Sequence, residues 1–533
     1  MTKKIEFKQT GLDKAISRLF PVWGAKRAKA RYAEALVGAY AGASRTRRPL
    51  SKWNVSSGDA DTDILSDLPL LRERSRDMMR NAPLACGAVN TALTNVVGSG
   101  LKLQARIDRS VLGMTDEQAD AWEDEVEREW KLFSESQECD SSRTLNFAEM
   151  QGLVFLQTLE NGDIFVNLPR FTRPGSPYYL KLQLIEADRV CNKDHAADSP
   201  TLSGGVEKDS CGAPTAYHIL EQHPGNIYAT KRYTWQVVNA FNSRGERNVL
   251  HPFRMLRPGQ SRGVPYLAPV IESLKQLDRY TESELAAAVI SSFLTIVLSP
   301  QASEQTFPEI NNNGYGTETK SSAGGSSTQL TLGSGMIIEL DDPKSINTIN
   351  PNRPNAQFDP FVKAILEQIG VALELPYEVL VHHFTASYSA SRAALLEAWR
   401  FFRGRRTWLV SNFCQPVYEA WLTEAVALGR INAPGFFADP RVKKAYCSSV
   451  WVGEALTQLD PKKEAEAAKI MVEAGFSTVD EQTVILTGGD FQDNLPRITK
   501  ERKQLAEIGL WQPVQAQTAK PSEPEPQEET DEE

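Results

Sequence analysis

The sequence predicts a predominantly helical α+β subunit divided into several parts, and three observations carry that reading. First, 533 residues exceed what a single hydrophobic core usually supports. Second, the apolar period changes along the chain: helical spacing over 68–97 and 119–133 gives way to strict alternation at 163–168 and 179–185. Third, an unbroken helical pattern runs over 265–298, and toward its end apolar residues cover most of the circumference. At ~1.5 Å per residue this rod is about 50 Å long. A helix that is apolar nearly all round needs neighbours on several sides, as between the subunits of a ring.

Each element has its own local reason. The helical spacing of 68–97 is interrupted at Pro83, and Gly98-Ser99-Gly100 ends it where a tight turn excludes a side chain. Residues 101–105 then alternate like an edge strand. Thr115 and Gln118 have capping-box spacing, and the helix they open puts Ala119, Trp122, Val126, Trp130 and Phe133 on one face. Residues 146–256 change period, with the alternating strands named above, and read as a mixed α+β body. Pro265 and Pro269 suit the first turn of the long helix, whose stripe is Leu267, Val270, Ile271, Leu274 and Leu277. Asn, Gly, Ser and Thr dominate 301–335, a flexible excursion, and 336–340 reads as a strand. A shorter helix over 360–373 stops before Pro376. Another starts near Ser391 and continues toward Leu428, with a kink or division expected at Pro416 and an end at Gly429. Asp460 and Pro461 set a last helical part, with segments 461–474 and 495–508 ending at Gly475 and Gly509.

The composition, 41% apolar and 24% charged, is that of an ordinary soluble protein. The longest near-apolar stretch, 285–298, contains Ser291, Ser292 and Thr295 and falls short of the roughly 20 residues a membrane span needs. No membrane partner is expected. The N-terminus lacks an apolar core with a small-residue cleavage site, so cytosolic assembly is the expectation. The net charge of −9 conceals two opposite ends. Residues 1–50 hold twelve basic side chains against Glu6, Asp13 and Glu34, so 1–59 reads as a mobile basic arm, free to touch nucleic acid or an acidic surface or simply solvated. The tail, 511–533, is acidic and proline-rich and is expected to be disordered.

Catalytic chemistry is missing from the pattern. No Gly-x-x-x-x-Gly-Lys-Ser/Thr string occurs, so ATP hydrolysis is not expected. Six scattered cysteines form no Cys-x-x-Cys pair, which points to free thiols rather than a disulfide framework or a zinc ribbon. Cys191 with His195, and Cys211 with His218, fit no common zinc spacing. His382 and His383, adjacent on an extended segment, point to opposite sides and do not readily share an ion. Glu186, Asp188 and Arg189 follow a strand without an evident histidine partner, and the structural reading is preferred for them. No cofactor and no enzymatic activity are expected.

Six stretches nevertheless occur in a telling order: RNAPLACGAV at 80–89, NVVGSGLKLQ at 95–104, LQLIEADR at 182–189, RPGQSRGVPYLAPV at 257–270, PYEVL at 376–380 and YSASRAALLEAWR at 388–400. Together they resemble the lambda-type family of tailed-phage portal proteins, from about residue 60 to about 510. Pro343-Lys344 stands where many relatives show Gly-Glu. The resemblance implies a ring, generally of twelve subunits, at one capsid vertex of an infectious phage or a prophage, through which double-stranded DNA enters and leaves. It also implies parts: 60–264 with part of 391–450 as the wing, 265–298 and 358–375 as two stem helices, and 299–357 as the clip. Residues 376–391 would be the tunnel loop, 392–450 a long helix returning to the wing, and 451–510 a helical crown. The implied partners are further copies of the chain, the terminase large subunit, a head–tail connector or head-completion protein, and major capsid and scaffold proteins. The implied location is the virion, after assembly in the host cytoplasm. The competing readings are a nuclease-like packaging enzyme and another capsid structural protein.

Charge agrees with that picture, because a uniformly basic tunnel would release counterions and hold DNA too tightly to let it move. A few contacts from Ser387, Tyr388, Ser389, Ser391 or Arg392, repeated around a ring, suffice to centre a duplex without reading its sequence. The alternative is that Ser389 or Ser391 simply caps the helix. Arg400, Arg403, Arg405 and Arg406 face DNA, pair between subunits or remain solvated, with interface pairing preferred. Lys275 and Arg279, one turn apart, either line the channel or form a solvated face.

Overall fold

The computed structural model describes residues 48–293 and 357–507 apart from 56, 229–233, 385–386 and 456–460, together with 21–23, 26 and 29. The predicted 301–335 excursion, the strand at 336–340, the Asp460 cap, the Gly509 stop and most of both termini lie outside the described residues.

Helices α1 (Leu68–Asn81) and α2 (Pro83–Val96) meet at Ala82, which is extended at φ −106° and ψ 106°. Pro83 disfavours a helical residue before it while suiting the first turn after it, so the interruption is a junction between two helices. Beyond α2, Gly98 and Gly100 take φ of 57° and 109° and lead into β1 (Lys102–Ala105), which pairs antiparallel with β9 (Ser449–Val452). Strand β1 does not alternate as expected, since Leu103, Gln104 and Ala105 are all buried. Its polar residue is accommodated because the Gln104 amide donates to Asp490 Oδ2 at 2.5 Å.

Helix α3 (Asp116–Ser134) has the Thr115–Gln118 capping box, and its buried residues are Ala119, Trp122, Val126, Trp130 and Phe133. Trp130 meets Phe147, Tyr418 and Trp421 edge-on at centroid distances of 5.2, 5.7 and 5.0 Å, a geometry worth roughly 0.5–1.5 kcal/mol per pair beyond burial. This aromatic cluster sits in the larger core, which joins α2, α3 and the helices described below. Helix α4 (Phe147–Glu160) opens the mixed α+β part, behind an Asn146–Glu149 capping box. Its buried residues Phe147, Met150, Gln151, Val154, Phe155, Thr158 and Leu159 form one stripe, but polar Gln151 and Thr158 inside that stripe and the half-buried Leu153 and Leu156 outside it blur the apolar period.

The expected strands 163–168 and 179–185 shorten to β2 (Phe165–Asn167) and β3 (Gln183–Ile185), joined with β8 (Val249–Leu250) in the order β3-β2-β8. Lys181 explains part of the shortening. It is fully buried, and its ammonium donates to Ser176 Oγ and to the carbonyls of Tyr178 and Leu180, which folds the segment back on itself. A second antiparallel sheet runs β4 (Leu202–Ser203), β5 (Val206–Lys208), β6 (Pro214–Leu220), β7 (Trp235–Asn239). A smaller core including Phe165, Ile185, Tyr217 and Ile219 joins the two sheets.

The long helix begins later than expected: Ala268–Val270 forms a 3-10 turn containing Pro269, and α5 runs Ile271–Phe293. Helix α6 spans Phe358–Ala372. Helix α7 (Tyr388–Leu409) passes through a π turn at Val410–Cys414 into α8 (Gln415–Ala427). Pro416 lies in the first turn of α8. A proline there offers no N–H and its ring crowds the carbonyl four residues back, and the widened turn accommodates both. The helix is therefore not divided at Pro416 but runs on through the π turn. Helices α9 (Pro461–Glu473), α10 (Val479–Thr487) and α11 (Phe491–Glu507) follow. Helix α10 was not anticipated, despite its Thr478–Glu481 capping box. No described helix is long and apolar enough to cross a membrane.

Candidate functional site

The entrance to α7 is built by a series of close backbone contacts. Gly370 on α6 receives the Leu375 N–H at 2.9 Å through its carbonyl, and a Cβ at Gly370 would lie 2.6 Å from the Leu375 oxygen. Only glycine permits that approach. Pro376 then opens the short helix Tyr377–Leu380, which buries Val379 and Leu380. His382, at φ 52°, meets Thr91 Oγ1 at 3.2 Å through Nε2, and His382, His383 and Phe384 are all exposed. Among the described residues, the Glu, Asp, Cys and His side chains grouped closely enough for an ion do not include the two histidines.

Helix α7 starts at Tyr388, earlier than the expected Ser391, with Ser387 as the residue before its first turn. The Ser387 carbonyl accepts the Ser391 N–H at 2.9 Å, and the Ser387 side chain makes no capping bond. Capping by Ser389 or Ser391 is thereby corrected, since both stand inside the helix. Ser387 and Ser389 are exposed, and the Tyr388 side chain lies outside the described residues. Partial positive charge from the uncapped N–H groups faces outward at this end. Arg392 lies 3.7 Å from Glu464 of α9, which ties the entrance to the C-terminal helices.

Beyond Arg392, the four further arginines of α7 divide into two pairs. Arg400 is exposed and lies 3.2 Å from Glu397 one turn back, and Arg403 is also exposed. Arg405 instead stacks over Tyr266 and Phe401, with centroid distances of 5.6 and 4.9 Å, and approaches Glu374 at 3.7 Å. Arg406 donates to the carbonyls of Val96, Asn95 and Glu454 at 3.0, 3.0 and 3.1 Å. Two of these belong to the last turn of α2, whose carbonyls have no helical partner. Burial lowers the affinity of both Arg405 and Arg406 for their protons. Their contacts are within the chain, an option the sequence had not suggested. On α5, Lys275 lies 3.4 Å from Asp278, and Arg279 is exposed.

Behind this helix lies a buried charge hub that sequence reasoning missed. Asp163 is fully buried and accepts from Arg72 Nη2 at 2.7 Å, Arg262 Nε at 2.7 Å, His251 Nε2 at 3.2 Å and the Gly263 N–H at 3.0 Å. Burial alone would raise its carboxyl, but Arg262 and Arg72 hold it well below the usual carboxylate range. Burial also lowers the His251 imidazole, against the pull of Asp163. Arg262 further donates to the carbonyls of Val190, Gly204 and Ala187, each at 2.7 Å, so one guanidinium fastens the two sheets to the 257–270 turn. Arg262 was visible within the RPGQSRGVP stretch, but its partner Asp163 lies far away in sequence.

A second grouping brings Glu186, Asp188 and His223 within 4.8 Å of one another, so the histidine partner that seemed absent does exist. Arg76 occupies both carboxylates, at 3.2 Å from Glu186 and 2.5 Å from Asp188, and Arg72 adds a contact to Asp188 at 3.4 Å. Two guanidiniums already supply the positive charge that a cation would bring, so the cluster fits an ion-pair network better than a metal centre. Cys191, Cys211, His195 and His218 form no such grouping among the described residues, and His218 meets Glu207 at 2.7 Å.

These features are framed by a sequence match of broad extent. The model of the family described as phage portal protein, lambda family, matches residues 46–406, which include the hub, the α7 entrance and all four arginines. The chain belongs to the lambda family of phage portal proteins. Portal protein B of Escherichia phage lambda is 25% identical over 497 residues, covering 90% of this chain and 92% of the relative. The portal protein of Escherichia phage N15 is 24% identical over 485 residues, covering 88% and 91%. Among solved structures, the neck of an empty GTA particle covers 77% of this chain and 92% of its own at 13% identity, with a TM-score of 0.37, a likeness too loose to carry an argument. Of the stretches 80–89, 182–189 and 257–270, Ala85 and Arg262 are buried and Asp188 is half-buried.

Proposed function

We propose that the chain forms the ring-shaped channel at one capsid vertex through which double-stranded DNA is packaged and ejected. Family membership over 46–406 is the observation that carries this reading. The part assignment follows it: 60–264 and part of 391–450 as wing, 265–298 and 358–375 as stem, 299–357 as clip, 376–391 as tunnel loop and 451–510 as crown. Twelve copies close the ring, the clip docks the terminase large subunit and later a head–tail connector, and the outer surface meets capsid and scaffold proteins. Its place is the virion, after assembly in the host cytoplasm. The role is mechanical rather than catalytic.

The α7 entrance supports the tunnel-loop assignment. Ser387 and Ser389 are exposed small polar residues beside uncapped helix N–H groups, which favour anions without reading bases. Arg400 and Arg403 extend the same helix as exposed cations, whereas Arg405 and Arg406 are held by the chain itself. Negative-stain microscopy and native mass spectrometry of the purified protein test the ring directly. A closed ring is expected, and a persistent monomer would sink the reading. Deleting Ser387–Ser389 should leave rings intact and impair DNA packaging or retention; unimpaired packaging would remove the loop from DNA contact. Magnesium-dependent DNA cleavage abolished by a point substitution would favour the nuclease alternative.

A further inference from the structure

Arg254 and Arg405 come from distant parts of the chain and converge on one oxygen. Arg254 Nη1 lies 3.4 Å and Arg405 Nη2 3.7 Å from Glu374 Oε1. Both distances exceed those of a good charge-assisted hydrogen bond, so one carboxylate is shared loosely between two cations. Glu374 itself sits at φ 57°, a conformation that a non-glycine residue adopts only when its surroundings impose it. The two guanidiniums border a recess of about 160 Å³, whose other walls include Leu159, Val264, Pro265 and Ala372. Apolar walls make a surplus positive charge more costly than it would be in water. Arg405 feels that cost, since burial and then the Arg254 charge lower its proton affinity. Stacking on Tyr266 and Phe401 holds the guanidinium in place at the recess wall.

We propose that this recess receives a carboxylate side chain from a second copy of the chain, which completes the charge balance of Arg254, Arg405 and Glu374 at a subunit contact. The inference rests on the ring reading above and gives that ring one specific contact. Size selects the occupant. The recess is smaller than the roughly 300–1,000 Å³ of small-molecule sites, and the Arg405 side chain is only 13% exposed. A single carboxylate on a flexible stem reaches it, whereas the backbone of a duplex is too broad. The chain also has acidic groups in excess, 68 against 59 lysines and arginines.

The test uses the full-length protein and substitutes Arg254, which is 54% exposed and stacks on nothing in the core. Subunit association is measured by native mass spectrometry over a concentration series for wild type, Arg254→Lys, Arg254→Gln and Arg254→Glu. A charge-assisted hydrogen bond contributes roughly 1.5–3 kcal/mol, so Arg254→Gln and Arg254→Glu should raise the concentration needed for ring formation at least about tenfold. Arg254→Lys should restore most of it, and all four should melt alike as monomers. Rings formed by Arg254→Gln at the wild-type concentration would overturn the inference while leaving the ring reading standing. Normal rings that fail to retain DNA would overturn it in favour of a phosphate ligand. A wild type that never forms rings would remove the reading beneath it.

Discussion

The Asp163 hub and the exposed part of α7 handle charge in opposite ways. At the hub, two arginines, a histidine and a backbone N–H converge on one fully buried carboxylate, and Arg262 also satisfies three carbonyls. On α7, Arg400 has one exposed neighbour one turn away, and Arg403 is exposed. Buried charges are tolerated only when fully partnered, and then they fix geometry; exposed charges fix little and remain open to outside partners. The first arrangement suits a body that must hold its shape, the second a surface that meets something else. Helix α7 spans the range: Arg400 and Arg403 are exposed, Arg405 is stacked but only loosely paired, and Arg406 is held by three carbonyls.

The largest loss of stability is expected at the hub. Replacing Asp163 with Ala leaves Arg72 and Arg262 buried without their carboxylate, and roughly 3–5 kcal/mol of stability should be lost, measured by urea unfolding of the monomer. Gly263→Ala should approach that loss by another route. A Cβ there would collide with the Gly162 carbonyl, so backbone has to move and the Gly263 N–H leaves Asp163. Wild-type stability for either variant would mean that the hub is not what joins the sheets to the 257–270 turn.

Arg406 sharpens the contrast within α7. Arg406→Ala removes donors from three carbonyls, two of them at the α2 terminus, and roughly 1–3 kcal/mol should go with them. Arg406→Lys should recover little, because one ammonium cannot reproduce a planar fork that also stacks on Trp399. Equal stability of Ala and Lys variants with wild type would show that these carbonyls are served by water instead.

Local features of the chain were legible and distant ones were not. Thr115 and Gln118 announced α3 and its buried face because every relevant residue lies within one helix. The junction at Pro83 was readable because proline acts on its immediate neighbours, whereas at Pro416 a π turn keeps the helix running where a kink or division was expected. The hub was not readable: Arg72, Asp163, His251 and Arg262 come from four separate segments, and nothing local marks Asp163 as buried. For the same reason the sequence offered three fates for Arg405 and Arg406 and omitted the fourth, contacts inside the chain. Helix α4 was missed because Gln151 and Thr158 lie within its buried stripe and Leu153 and Leu156 outside it, which blurs the apolar period that identifies a helix.

A smaller effect separates the hub's histidine from its carboxylate by pH. His251 has a folded proton affinity below its ordinary value of 6.5, so below about pH 6.5 the unfolded chain binds a proton that the folded chain does not. Stability therefore falls as pH drops from about 6.5 toward the lowered folded value, at up to about 1.4 kcal/mol per pH unit. Asp163 has the opposite timing. Its folded value is depressed, so its contribution is complete above the ordinary carboxylate range and disappears only in strong acid. Denaturation midpoints of wild type and His251→Gln between pH 7 and 5 should converge as the pH falls. Parallel curves would mean that His251 gains its proton in the folded state as readily as in the unfolded one.

The smallest expected change in stability belongs to Arg400 and Arg403, where a null result carries information. Both side chains are exposed, and the i, i+3 contact of Arg400 with Glu397 at 3.2 Å is of the kind that contributes little in water. Arg400→Ala and Arg403→Ala should leave the melting midpoint of the monomer unchanged. If these residues face DNA in the proposed channel, removing them should weaken DNA retention equally for all sequences and reduce its salt dependence. If they pair between subunits, ring formation should become more salt-sensitive and retention should follow the rings. A loss of monomer stability would contradict both outcomes and place the change from exposed to anchored charge earlier along α7 than the contacts of Arg405 indicate.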